Sequence, residues 1–472
     1  MPEAPYPSDP YPDDPYVFIP WARELGAQTA GPVLTHGDPE FDAAIRLHTA
    51  ALPGHPAAVL RARTVTDIST AVLTASHAGV PLSVRGGGHS AAAHAVAVGG
   101  LMLDLSTLRA VRVDPGRATA TAEPGVTWGA YDRATQEHGL AGTGGSVSTT
   151  GVAGLTLGGG IGALRGLHGL AADHLVAADV VLADGSVVRA DATRETELFW
   201  ALRGGGGNFG VVVGFHLALH PVTRMVTGAL TWPLDRIRRL AAAYRALAGR
   251  LADHTVAEFV LGHAPSGNGA PTVTVIPRVI GGPDEAAPVL AALRAGGGSP
   301  LADTVRERSY VEGQRFMDAA TGWGARHYWS TCTLRHLDDE VVGVLAAHAA
   351  RAPSARCAVT VEHLHGAVSR VPAPDTAVGF RHAPYNVRVE AMWSHPADDA
   401  PNRAWAQALI AALRPFAAGG AYVNYLPRDA TSDDVRAAYG VVKYARLQRA
   451  KAAYDPANLF RTNQNIPPQH AR

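Results

Sequence analysis

The chain has 472 residues, 47% of them hydrophobic and 17% charged, too long for one ordinary domain and ample for a large core. Lys plus Arg and Asp plus Glu each total 41, so charge gives no reason to expect a nucleic acid or an anionic membrane as partner. The two cysteines, Cys332 and Cys357, cannot build a disulfide framework and match no zinc spacing; they read as small buried hydrophobes.

The start, MPEAPYPSDPYPDDPY, is proline-rich and acidic and lacks the regions of a signal peptide, so residues 1–25 read as a flexible tail. No apolar run of about 18 residues suggests a membrane helix. A soluble, cytoplasmic protein is the expectation. From 40 to 80 the pattern is helical, interrupted by a strand candidate, AAVLRARTV (57–65). The segment 66-TDISTAVLTASHAG-79 has a Thr/Asp start, helical apolar spacing and a glycine stop. PLSVR then reads as a strand running into RGGGHS. LMLDLS (101–106), VRVDP (111–115) and ATATAEPG (118–125) read as strands, and TWGAYDRATQEHG (127–139) as a helix. Helix, short strands, then helix suggests an α+β layer rather than repeating βαβ units.

The stretch 142-GTGGSVSTTGVAGLTLGGGIG-162 is the most glycine-dense of the chain. Bare backbone there suits close approach to a ligand, with N–H groups free to meet an anion. The bland alternative is a tightly wound turn region with no ligand. Residues 173–190 read as two strands joined by an Ala-Asp-Gly turn, and 196–222 as helix, glycine loop and strand. From about 223, helical segments alternate with strands (TVTVIPRVIG, YWSTCTL, NVRVEAMW), which predicts a second α+β domain with an antiparallel sheet. The end returns to aromatic, polar sequence in 421-AYVNYLPRD-429 and 454-YDPANLFRTNQNIPP-468.

The obvious motif fails on context. GGGNFG (205–210) satisfies G-x-G-x-x-G, but the helix precedes it and the strand follows, the reverse of a dinucleotide fingerprint. His89 and His94, five apart in a loop with no carboxylate nearby, make a poor metal pair. No G-x-S-x-G of hydrolase type is present.

Five features occur in order: RGGGHS, GVAGLTLGGGIG, ADG, ELFWALRGGGGNFGVV, and YVNY with PANLF-R-NQNI. Together they resemble the berberine-bridge-enzyme-like FAD-linked oxidases, within the vanillyl-alcohol-oxidase or PCMH-type flavoprotein superfamily. The resemblance runs from about 30 to 468. It implies a PCMH-type FAD-binding domain of two α+β subdomains over 26–222, a substrate domain with an antiparallel sheet backed by helices over 223–416, and a segment, 417–472, returning to the FAD domain. It implies FAD bonded covalently through His89. The same resemblance gives the flavin Arg85, Gly86, Gly87, Gly88 and Ser90, then Gly145, Val147, Thr150, Gly151, Gly154, Gly158, Gly159, Gly160 and Gly162. Asn208, Gly210, Val211, Val212, Asn424, Asn463 and Asn465 complete that set. Many relatives carry a second link from a cysteine; here Val147 stands in its place, so a single link is expected. Ile161 replaces a tyrosine that some relatives carry in the substrate cavity.

The implied reaction removes hydride from a C–H bond of a small alcohol, lactol or amine to flavin N5, and O2 takes the electrons to give H2O2. The alternative is a dehydrogenase or oxidative cyclase that uses O2 poorly; Thr150 lies in the stretch expected near the O2-reactive face. A high-GC bacterial source and a role in secondary metabolism fit the Ala/Gly/Arg-rich composition. The base is sought in YVNY. Read as a strand, it puts Tyr422 and Asn424 on one face and Val423 and Tyr425 on the other. The resemblance favours Tyr425, with Tyr422 second. A phenol, with an ordinary pKa of about 10, serves as base only beside a stabilising cation. Arg388 is the candidate cation. Alternation in YNVRVEAMW puts it on a polar stripe with Asn386 and Glu390, either a cavity wall or a solvent face. Tyr328 and Trp329 are candidates for an aromatic wall or for core packing.

Overall fold

The computed structural model describes residues 19–263, 269–321 and 323–469. Residues 1–18 of the expected tail lie outside the described residues. The rest of that tail is not tail: Pro20–Gln28 is a helix with proline in its first turn, and it buries Ala22 and Leu25. Those two side chains join Ile68, Ala71, Val72 and Ala75 of helix Val65–Ala78 in one apolar cluster. That second helix begins and ends on side chains the sequence supplies. Thr64 and Asp67 form a capping box, and Gly79 closes it at φ 66°.

Two sheets dominate the first half, beside a two-stranded pairing of Leu140–Ala141 with His220–Pro221. Strands Val33–Thr35, Ala58–Arg61, Leu101–Asp104 and Leu82–Arg85 form a four-stranded sheet in that spatial order. Its last three strands run parallel. A five-stranded antiparallel sheet follows, in the order Val111–Asp114, Thr119–Ala122, Val211–Ala218, Leu175–Val181, Val187–Asp191. The C-terminal stretch packs on this sheet: Val423, Leu426, Leu447 and Ile466 share one buried cluster with Val180, Phe209 and Phe215.

A nine-stranded antiparallel sheet draws its strands from Arg224 to Trp393. Helices Ile237–Ala248, Pro283–Gly297, Asp339–Ala349 and Asp399–Leu413 contribute Leu240, Leu293, Leu345 and Leu409 to a single core with one face of it. The α+β reading holds. Two of its central strands, Thr255–His263 and Ala358–His363, and helix Asp399–Leu413 were not anticipated. No helix of the described residues is long and apolar enough to cross a membrane.

Candidate active site

The free face of the nine-stranded sheet and the glycine loops of the first half enclose one cavity. Alternation decides what the sheet shows it. In strand Tyr385–Trp393, Tyr385, Val387, Val389, Ala391 and Trp393 join the helix-backed core, while Arg388 and Glu390 line the cavity. Glu258, Arg278, Trp329 and Glu362 line it from neighbouring strands. The polar stripe is therefore an internal wall, not a solvent face.

From the loops come Gly86, Gly87, Gly88, His89 and Ser90, then Gly145, Val147, Thr150, Gly151, Gly154 and Ile161, and finally Asn208, Gly210, Val211 and Val212. Tyr422, Asn424, Tyr425 and Asn463 enter from the C-terminal segment. Ten glycines stand on this wall. At one crossing the need for glycine is steric: a Cβ on Gly87 would lie 2.5 Å from the backbone N and Cα of Gly151.

Several expected residues do not reach the cavity. Arg85 turns away, donating to the carbonyl of Ala44 at 2.6 Å and lying 3.8 Å from Asp104. Gly158, Gly159, Gly160 and Gly162 sit behind the wall. A Cβ on Gly158 would strike Asn424 Oδ1 at 2.1 Å, and one on Gly162 the carbonyl of Gly144 at 1.5 Å. These glycines permit packing rather than ligand approach. Asn465 is also absent from the lining, its Oδ1 buried without a partner among the described residues. Tyr328 is one residue out of phase: it belongs to the helix-backed core and donates to Asp429 Oδ1 at 3.0 Å, whereas Trp329 faces the cavity. Asn386 shares the phase of Arg388 but is fully buried beside the cavity, where its Nδ2 donates to Glu362 Oε2 at 2.7 Å.

YVNY is not a strand. Val423–Tyr425 forms a turn of 3-10 helix, in which residues three apart share a side. Tyr422 and Tyr425 therefore meet edge to face at 4.5 Å instead of pointing apart. Tyr422 Oη accepts from the Gly160 N–H at 3.1 Å and from Asn424 Nδ2 at 2.9 Å. Burial pushes its pKa up to about 12. Tyr425 Oη accepts from Arg388 Nη1 at 2.9 Å and donates to Glu362 Oε1 at 3.1 Å. Burial drives Tyr425 well above the usual phenol value, with Arg388 opposing it.

Glu362 and Glu258 were missed in the sequence, and they carry opposite electrostatics. Burial lifts Glu362 above the usual carboxylate range, against the pull of Arg388. Burial works on Glu258 in the same sense, but Arg278 and Arg165 outweigh it and hold that carboxyl low. Arg165 Nη1 and Arg278 Nη2 lie 3.3 and 3.4 Å from its two oxygens. Arg388 Nε also stands 3.1 Å from Glu390 Oε2. Burial acts against the Arg388 charge, but Glu390, Tyr425 and Glu362 hold it firmly protonated. The only sequence signal for the missed pair was one acid inside each of two apolar runs, TVAEFV and AVTVEH.

The residues suit FAD. His89 Nε2 and Asn463 Oδ1 are shielded from solvent yet meet no protein partner among the described residues. At Gly154 and Gly207, both on the cavity wall, nothing occupies the space where a Cβ would stand. Backbone N–H groups in such loops can meet a pyrophosphate. The profile of the FAD binding domain family matches residues 56–191. The chain is an FAD-linked oxidoreductase of the PCMH type.

It belongs to the berberine and berberine-like family, whose own profile matches residues 421–467. The (R)-6-hydroxynicotine oxidase of Paenarthrobacter nicotinovorans is 30% identical over 455 residues, 93% of this chain and 97% of the relative. The FAD-linked oxidoreductase YvdP of Bacillus subtilis strain 168 is 28% identical over 466 residues, covering 93% and 99%. The crystal structure of 6-hydroxy-D-nicotine oxidase from Arthrobacter nicotinovorans superposes with a TM-score of 0.85 at 29% identity, over 93% of this chain and 98% of that one.

Proposed function

We propose that the protein is an oxidase that removes two electrons from a C–H bond next to an oxygen or nitrogen of a small organic molecule. In this reading FAD is held by a single covalent bond through His89 and O2 is the final acceptor. We take 20–222 with 417–472 as the flavin-binding unit and 223–416 as the substrate unit. One observation carries the reading: the Tyr425 phenol is bridged between Arg388 and Glu362 on the wall of the cavity that His89 also lines.

FAD, when bound, supplies the two-electron acceptor for hydride and passes those electrons to O2. The chain handles the proton. Tyr425 accepts it from the substrate O–H or N–H and passes its own phenol proton to Glu362. Arg388 donates to the same oxygen and steadies its partial negative charge. This relay removes the objection that a buried phenol does not ionise, because no free phenolate has to form. Tyr422 suits a different task. Two donors fill its oxygen, and no acceptor for its own proton is present among the described residues, so it offers a hydrogen bond to whatever fills the cavity. Trp329, Tyr422 and Tyr425 give the substrate end an aromatic lining, and Val147 leaves His89 as the single link. The relatives named as hydroxynicotine oxidases favour the same class of chemistry.

The test uses the purified protein. Its flavin absorbance near 450 nm should stay with the pellet after acid precipitation and pass to the supernatant in His89→Ala. After anaerobic reduction, admitting air should reoxidise it rapidly with release of H2O2. Slow reoxidation, with turnover restored by dyes, would make it a dehydrogenase instead.

Glu362 sets a pH dependence. It must be ionised to receive the proton, and burial raises its pKa. As pH falls, the carboxylate fills and the rate falls with it. The acid limb of the pH–rate profile should therefore lie above the range of about 4–5 where ordinary carboxylates titrate. Glu362→Gln should abolish that limb along with most of the rate. A profile flat down to pH 4 in the unmodified protein would remove Glu362 from the relay.

A further inference from the structure

His48 does not line the cavity but stands directly behind His89. The two rings stack with centroids 4.0 Å apart and planes 11° apart. His327 stacks on His48 as well, at 4.4 Å and 25°, so His48 is the middle of three imidazoles. Trp323 stands edge-on to His48 and His89, at 5.8 and 6.4 Å. The backbone sets this register. The His48 N–H donates to the carbonyl of Gly88 at 2.9 Å, and its carbonyl accepts from the Gly324 N–H at 3.3 Å. His48 is fully buried, and neither of its ring nitrogens has a hydrogen-bond partner among the described residues. That is an unfavourable arrangement if stability alone is at stake. What the side chain offers His89 is a flat, neutral face.

Neutrality follows from the surroundings. Burial brings His48 down to about 4 and His89 and His327 down to about 3, and for the last two the neighbouring His48 adds to the effect. Attachment to a flavin needs such a ring, because only an unprotonated nitrogen has a lone pair to give. The N–C bond forms at the 8α carbon and one C–H bond there breaks. That methyl proton and the imidazole N–H proton end on a flavin reduced by two electrons. Dioxygen then removes those electrons and both protons as H2O2, leaving the attached flavin oxidised.

We propose that His48 is the positioning residue for this attachment, fixing the plane of His89 through the ring stack. The proposal rests on the reading that His89 carries the flavin.

The test compares full-length wild type, His48→Ala and His48→Phe, purified from riboflavin-starved cells and given FAD in air. Total bound flavin, acid-stable flavin over time and melting temperature are measured. His48→Ala should bind as much flavin in total but attach it at least about tenfold more slowly, as expected when a reacting group loses its alignment. His48→Phe, which keeps a flat neutral ring, should restore most of the rate. Attachment by His48→Ala at the wild-type rate overturns the proposal, as does His48→Phe proving as slow as His48→Ala with normal total flavin. Should His48→Ala fail to fold, His48→Leu takes its place and is read the same way. Wild type that releases all its flavin on acid precipitation overturns the His89 reading and this proposal with it. Attachment in wild type and His48→Ala at equal rates overturns the proposal alone and leaves the His89 reading standing.

Discussion

Tyr425→Phe is expected to slow substrate-driven flavin reduction by about 10²–10⁴-fold, the usual contribution of a positioned proton acceptor. Flavin content and melting temperature should stay near wild type. The reason lies in what surrounds the lost hydroxyl. Arg388 Nη1 is already 3.7 Å from Glu362 Oε1. Without the phenol oxygen between them, the two charges face each other and remain paired, so the fold loses little. The substrate proton, in contrast, has lost the hydroxyl that receives it and passes it to Glu362. Anaerobic stopped-flow at 450 nm separates this step from reoxidation. A reduction rate close to wild type would shift the acceptor elsewhere, Tyr422 being the first alternative, 4.5 Å away ring to ring.

The glycine-rich wall of this cavity was legible in the sequence and the polar wall facing it was only half so. Glycine signals its purpose locally, because crowded backbone excludes other residues. Thus GGGH (86–89), the 145–154 stretch and GGGNFG could be read before any fold was known, and each contributes to the cavity wall. The limit of that logic shows at Gly158 and Gly162, where a Cβ would meet Asn424 and Gly144. A glycine makes room for the chain's own packing as readily as for a ligand. Arg388 and Tyr425 were singled out and both line the cavity, but their bridge to Glu362 was not legible. Glu362 comes from a strand adjacent to that of Arg388, with Thr360 opposite Arg388 and Glu362 opposite Asn386. No local pattern carries that register. Tyr328 and Trp329 show the cost of a one-residue error in phase, which exchanges core for cavity. In YVNY the wrong period was applied: alternation separated two tyrosines that a 3-10 turn brings together. His48 gave no signal at all, because a lone histidine 41 positions before His89 acquires meaning only through stacking.

Lys451→Met should cost about 3–5 kcal/mol of stability, the range for removing one partner of a buried ion pair. Lys451 and Asp455 are both fully buried, with Nζ 2.6 Å from Oδ2 one helical turn away. The ammonium spends its other two protons on the carbonyls of Asn208 at 2.7 Å and Phe460 at 2.9 Å. Asp455 in turn accepts from the N–H groups of Leu459 and Phe460, both under 3 Å. This one pair therefore ties the C-terminal segment to itself and to the glycine loop that lines the cavity at Asn208. Asn208 repeats the tie, its Oδ1 accepting from the Ile466 N–H at 3.0 Å. Methionine fills the volume of lysine but leaves the Asp455 carboxylate buried and two carbonyls without donors. The double variant Lys451→Met, Asp455→Leu removes the stranded charge, so it should recover part of the loss. It should not recover all of it, because Leu459 and Phe460 then lose their acceptor. Chemical denaturation of the two variants against wild type checks the order. A single Lys451→Met as stable as wild type would mean that the ion pair contributes nothing to holding the segment. The anchoring would then rest on the Asn208 hydrogen bonds and the apolar contacts of Leu447, Phe460 and Ile466.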